Sequence, residues 1–213
     1  MSLPISDSYT SPVDAYAGDA PAGGCDPVDK PGVLAFRKLV LAAVGGGAGG
    51  ISRPCALGEP SDHHEGRAWD WSVRADTPAD VARVDEVLAW LLASDAKGDA
   101  HAMLRRAGLR YILWNSRTWS VRTKDWQPYT GTNPHTDHVH FSFGWPGARG
   151  ETSLYREEPQ PQPPKPPNPK PPGVEPAPDS PAATASYPLA FAAGAAAGLA
   201  LFWAARRLIR SQT

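Results

Sequence analysis

Two short windows hold five of the chain's six histidines. The first, Ser61-Asp-His-His-Glu-Gly-Arg-Ala-Trp-Asp70, carries His63, His64 and Asp70. The second, His135-Thr-Asp-His138-Val-His140, lies more than sixty residues later, and only His101 stands outside both. Two imidazoles and a carboxylate with no thiolate among them suit a zinc site with an open position. Zinc in hydrolases takes three N and O ligands and leaves a fourth place for water. Water held there ionises near neutral pH, and the metal polarises a scissile carbonyl. A structural site built from cysteines alone is excluded, because the chain has only Cys25 and Cys55.

The elements that would position these residues are readable from periodicity. Ala68–Val73, Arg110–Trp114, Thr118–Arg122 and His138–Phe143 alternate as strands do. In His138-Val139-His140 the two imidazoles then share a face and Val139 takes the other. Neighbouring strands would bring His63, Asp70 and His140 onto one ion. Pro31–Val44 has Val33, Phe36, Leu39, Val40 and Val44 at helical spacing, stopped by Gly45–Gly50. Thr77-Pro78-Ala-Asp80 predicts a helix start with a hydroxyl cap, followed by a stripe of Val84, Val87, Leu88, Leu91 and Leu92. Asp99–Ala107 predicts a short helix closed by Gly108 in the left-handed conformation. Helices and strands mixed without a βαβ rhythm imply an α+β domain around a small antiparallel sheet.

Composition divides the 213 residues into five parts. Residues 1–24 are rich in Ser, Ala, Gly, Pro and Asp and read as a flexible lead-in, not a secretory signal. Residues 25–150 hold seven of the eight tryptophans and form the catalytic domain. Residues 151–186 are a linker, with a polyproline spacer from Glu158 to Pro181. Residues 187–205 carry no charge and suffice for one membrane-spanning helix. Residues 206–213 include Arg206, Arg207 and Arg210, which places the tail in the cytoplasm and the domain outside. Gly194 and Gly198, extended by Ala190, give that helix a small-residue face suited to weak pairing. A net charge of −1 gives no footprint for nucleic acid. Cys25 and Cys55 are expected to bridge a loop of about 30 residues, worth roughly 3 kcal/mol, in an oxidising compartment.

Ser61-x-His63-x-x-Gly66-x-Ala68-x-Asp70 followed by His-x-His on a strand resembles the zinc peptidoglycan peptidases of the lysostaphin, D-Ala-D-Ala metallopeptidase and hedgehog-like group. VanY-like D,D-carboxypeptidases and murein endopeptidases look most similar, over about residues 25–145. The resemblance makes His63, Asp70 and His140 zinc ligands, and Gly66 and Ala68 the small positions of the metal loop. It puts Arg53 where related enzymes steady an oxyanion. For the base it leaves two candidates. One is His138, with His135 in support; the other is Asp137, a shorter acid than the Glu of the carboxypeptidase branch. Strand alternation favours His138.

The resemblance implies a membrane-tethered peptidase acting on peptidoglycan stem peptides or cross-links. Two other functions compete with it: a non-catalytic, zinc-stabilised wall-binding module and a hydrolase of another polymer. A bacteriophage lytic enzyme, in a virion or host membrane, is an alternative origin that would account for export without a signal. His64 is expected to point outward and His101 to be solvated. Trp69, Trp71, Trp114, Trp119, Trp126 and Trp145 are candidates for a saccharide or peptide groove, with one or two of them, and Tyr129, at its rim.

Overall fold

The structure is a computed structural model that describes residues 2–160. Five antiparallel strands form one sheet in the order β1-β5-β2-β3-β4: β1 (Ala68–Ser72), β2 (Leu109–Trp114), β3 (Arg117–Ser120), β4 (Trp126–Pro128) and β5 (His138–Phe143). The helices are α1 (Pro31–Val44), α2 (Pro78–Leu92), α3 (Ala102–Ala107), α4 (Trp145–Ala148) and α5 (Ser153–Arg156). The α+β expectation therefore holds, with α1, α2 and four of the strands where periodicity placed them. β4 had no signal, since three residues cannot establish an alternation.

One face of the sheet is apolar. Trp69 and Trp71 of β1, Ile112 of β2, Trp119 of β3 and Val139, Phe141 and Phe143 of β5 are almost fully buried. Phe36 of α1 meets this face, with ring centroids 5.4 Å from Phe141 and Phe143 and 6.0 Å from Trp69. Trp90 of α2 stacks on Phe36 from behind at 6.1 Å. Edge-to-face and offset aromatic pairs of this kind add to the area they bury. Because strands alternate, the residues between these anchors must face the other way. Asp70, Tyr111, His138, His140 and Ser142 therefore share the second face.

The edge strand β1 is closed by the glycine run after α1. The Gly47 N–H donates to the Ser72 carbonyl and the Asp70 N–H to the Gly50 carbonyl, at 2.9 Å each. Gly49, at φ 56°, lies so close that a Cβ there would sit 1.5 Å from the Asp70 carbonyl oxygen. The run that ends the helix also covers an otherwise open sheet edge.

Two local expectations fail. Thr77 precedes α2 but its hydroxyl bonds Asp76 and does not cap the helix; the Asp80 carboxylate instead accepts the Arg74 N–H. The third helix starts at Ala102, not Asp99, because His101 takes a left-handed φ of 52°. Its end is as expected, with Gly108 left-handed at φ 69°.

The segment before Cys25, read from composition as a loose lead-in, packs on the domain. Arg106, 2 % exposed, donates to the Ser6 hydroxyl and the Ser11 carbonyl and stacks on Tyr9. Asp14 accepts from the Ser153 N–H, and Glu157 from the Thr10 and Ser11 N–H groups. The fold thus extends past residue 150 through α5. Cys25 and Cys55 form the expected disulfide. Among the described residues no helix is long and apolar enough to cross a membrane. The apolar stretch 187–205, the basic tail and most of the proline-rich linker lie outside them.

Candidate metal centre

β1 and β5 pair so that Asp70 stands opposite His140 and Ser72 opposite His138. His63 arrives from the 3-10 turn Asp62–Glu65, which ends at Gly66 in the left-handed conformation, φ 62°. A side chain at Gly66 would collide with the Val28 carbonyl, so the loop returns to β1 only with glycine there. The outcome is three donor atoms at one point. Nε2 of His63 is 3.2 Å from Oδ1 of Asp70 and 3.2 Å from Nδ1 of His140, which is 2.9 Å from the same oxygen.

The outer nitrogens of both imidazoles are engaged. Nδ1–H of His63 donates to the Ile51 carbonyl at 2.6 Å, and Nε2 of His140 shares a 3.3 Å hydrogen bond with the Tyr111 hydroxyl. With the ring protons on those outer nitrogens, each imidazole in its neutral form turns a lone pair inward beside a carboxylate oxygen. Three acceptors converging in a buried place repel one another unless a cation lies among them. Bonds of roughly 2.0–2.1 Å in a tetrahedron separate donor atoms by about 3.3 Å, close to these spacings. His63, Asp70 and His140 could therefore hold a metal ion.

The same proximity shifts the ionisation of all three groups. Burial opposes ionisation of Asp70, yet with the rings protonated the bonds and charge of His140 and His63 hold its carboxyl far below the usual carboxylate range. For His63 burial disfavours the charged ring, but the Asp70 bond and charge prevail and raise its pKa. In His140, burial wins over Asp70 and its pKa falls.

His138 stands beside the triad, with Nε2 3.6 Å from Oδ1 of Asp70. Its Nδ1–H donates to the Asp137 carboxylate at 2.7 Å. Asp137 itself is largely exposed and its acidity is strengthened by that bond, so it orients the imidazole from outside the triad. His135 is buried, its ring 4.9 Å from that of His138 and 5.9 Å from that of His140. Burial, then the neighbouring His140 and His138, lowers its pKa to about 4, so it is neutral at pH 7. Tyr129 closes on its edge at 5.3 Å. Arg53 is exposed, its N–H bonded to the His63 carbonyl, and its charge is felt at His63. A surface cleft of about 470 Å³, lined by Arg74, Asp76, Asn133, Pro134 and Thr136, reaches the site at Asp137.

His64 differs from expectation. It is 4 % exposed, with Nε2–H donated to the Leu57 carbonyl, so it braces the loop behind His63. His101 is half-buried, bonded to the Tyr16 hydroxyl and packed edge-on against Trp119. Trp69, Trp71, Trp114 and Trp119 belong to the core, leaving Trp126 and Trp145 half-exposed.

Sequence reasoning missed a buried charge cluster under the site. Asp62, 1 % exposed, pairs with Arg67 at 2.7 Å and Arg110 at 2.6 Å and accepts from the Ser142 hydroxyl. Arg67 also pairs with Glu65 at 2.6 Å, and both guanidinium groups donate to the Ala20 carbonyl. The only signal was the charge alternation in the first histidine window, which sequence alone cannot distinguish from a solvated loop.

A family model described as VldE, C-terminal domain, matches residues 26–140, and the chain belongs to that family. No curated protein and no solved structure matches it.

Proposed function

We propose that this member of the VldE C-terminal domain family is a zinc-dependent peptidase that hydrolyses peptide bonds of bacterial peptidoglycan. The observation that carries the reading is the convergence of His63 Nε2, Asp70 Oδ1 and His140 Nδ1, with the His138–Asp137 pair at its edge. The resemblance of the two histidine windows to zinc peptidoglycan peptidases supplies the substrate class.

His63, Asp70 and His140 would hold the ion, and two imidazoles with one carboxylate suit zinc. When bound, zinc supplies Lewis-acid activation of water and of the scissile carbonyl. His138 accepts the proton of the attacking water at Nε2 and returns it to the leaving amine. Asp137 holds the ring through Nδ1 and stabilises its positive form. Arg53 brings positive charge near the developing oxyanion, and His135 stays neutral beside both. The cleft ending at Asp137 receives the peptide.

The apolar stretch 187–205 would anchor the chain, and the proline-rich segment would hold the domain on the wall side of the membrane. Digestion of purified peptidoglycan with and without chelator, read by mass spectrometry of the muropeptides, tests the reading. Chelator-sensitive release of D-alanine or cleavage of cross-links is expected. Intact wall after incubation with the zinc-loaded chain would refute it and leave a binding module.

A further inference from the structure

We propose that Tyr111 is a positioning residue: its hydroxyl takes the Nε2–H of His140 and so fixes Nδ1 as the atom offered to the metal. The inference rests on the metal reading above and adds to it a residue outside the ligand set. An imidazole binds through whichever nitrogen lacks the proton, so an outer partner that claims one nitrogen decides the other. For His63 that partner is the Ile51 carbonyl, a fixed acceptor. For His140 it is the Tyr111 hydroxyl at 3.3 Å, the one partner of Nε2 among the described residues. The two rings also lie nearly parallel, 15° apart with centroids at 5.4 Å, so the phenol sets the plane of the imidazole as well as its proton.

A hydroxyl can donate as readily as accept, and something must turn it. Asp62 does this. Its carboxylate holds the Ser142 hydroxyl, which stands opposite Tyr111 in the strand register, and that buried negative charge favours the phenolic proton turned away from His140. The lone pairs of the oxygen then face His140. Asp62 is itself immobilised by Arg67 and Arg110. The carboxylate beside His63 thus bears on the phenol that holds the imidazole of His140. The strand register makes it possible, because Tyr111 pairs with Ser142 and Leu113 with His140, setting the phenol diagonally across from the imidazole.

The test uses the whole chain, zinc alone as probe, and Tyr111→Phe, which keeps the ring and removes the hydroxyl. Zinc affinity, measured by competition with a chromogenic chelator, is expected to fall about 10–100-fold. Nitrogen-15 NMR of the zinc-free chain is expected to show His140 protonated at Nε2 in the unaltered protein and divided between tautomers in Tyr111→Phe. A purely structural role would leave the tautomer unchanged. Equal affinity, or lower affinity with the same tautomer, overturns the positioning role while leaving the metal site standing. Failure of the unaltered chain to bind zinc overturns both.

Discussion

His138 and His140 lie two residues apart on one strand and face the same way, yet their surroundings differ. His140 is buried and has both nitrogens engaged, one at the triad and one at Tyr111. His138 is partly exposed and bonded to a solvated carboxylate. Replacing His140 by Ala should therefore abolish metal uptake, measured by elemental analysis. His138→Ala should retain the metal and lose about 10²–10⁴-fold in turnover, the usual contribution of a general base. Metal retained by His140→Ala would refute the ligand set. At this scale the convergence of His63, Asp70 and His140 was legible, because histidine and aspartate in such windows have few other reasons to cluster. Tyr111 was not, since a tyrosine in an alternating strand looks the same whether or not its hydroxyl has a task. His64 was misread as pointing outward, because adjacency to His63 says nothing about the loop carbonyl that claims its ring.

At the scale of elements, the glycine run after α1 makes the sharpest case. Read as a helix stop, it also pairs with β1 at the strand that carries Asp70. Gly49→Ala should destabilise the fold by more than the about 1–3 kcal/mol of a left-handed non-glycine residue, because the methyl also meets the Asp70 carbonyl. Urea unfolding measures this, and a loss of metal affinity should accompany it. Thr77→Ala should change stability by no more than about 0.5 kcal/mol, because the hydroxyl caps nothing. Periodicity revealed α1, α2 and the four longer strands because each buries one face against the aromatic layer. It missed β4 and the cap chemistry, which depend on partners distant in sequence. The buried Asp62–Arg67–Arg110 cluster was hidden for the same reason, since charge pairing across 48 residues leaves no local pattern.

In the whole molecule the first two dozen residues and the last described helix are bound together over the α3 side. The Glu157 carboxylate, bonded to Thr10 and Ser11, is lowered to about 2 from an ordinary 4.5. A depressed carboxylate stabilises the fold above its unfolded value and loses that contribution as pH falls through the folded one. Acid should therefore loosen this clasp between about pH 4.5 and 2, seen as rising amide exchange at Thr10 and Ser11, and Glu157→Gln should remove the dependence. Opening the Cys25–Cys55 bridge by paired serine substitution should cost about 3 kcal/mol in urea unfolding. The Ala20 carbonyl, shared by Arg67 and Arg110, has a practical corollary. Trimming the gene at residue 25, where composition invites the cut, would leave two interior guanidinium groups short of an acceptor directly beneath the loop that carries His63. A shortened form meant for crystallisation or metal binding should begin no later than the Tyr9 region, or a failure to fold would be an artefact of the scissors.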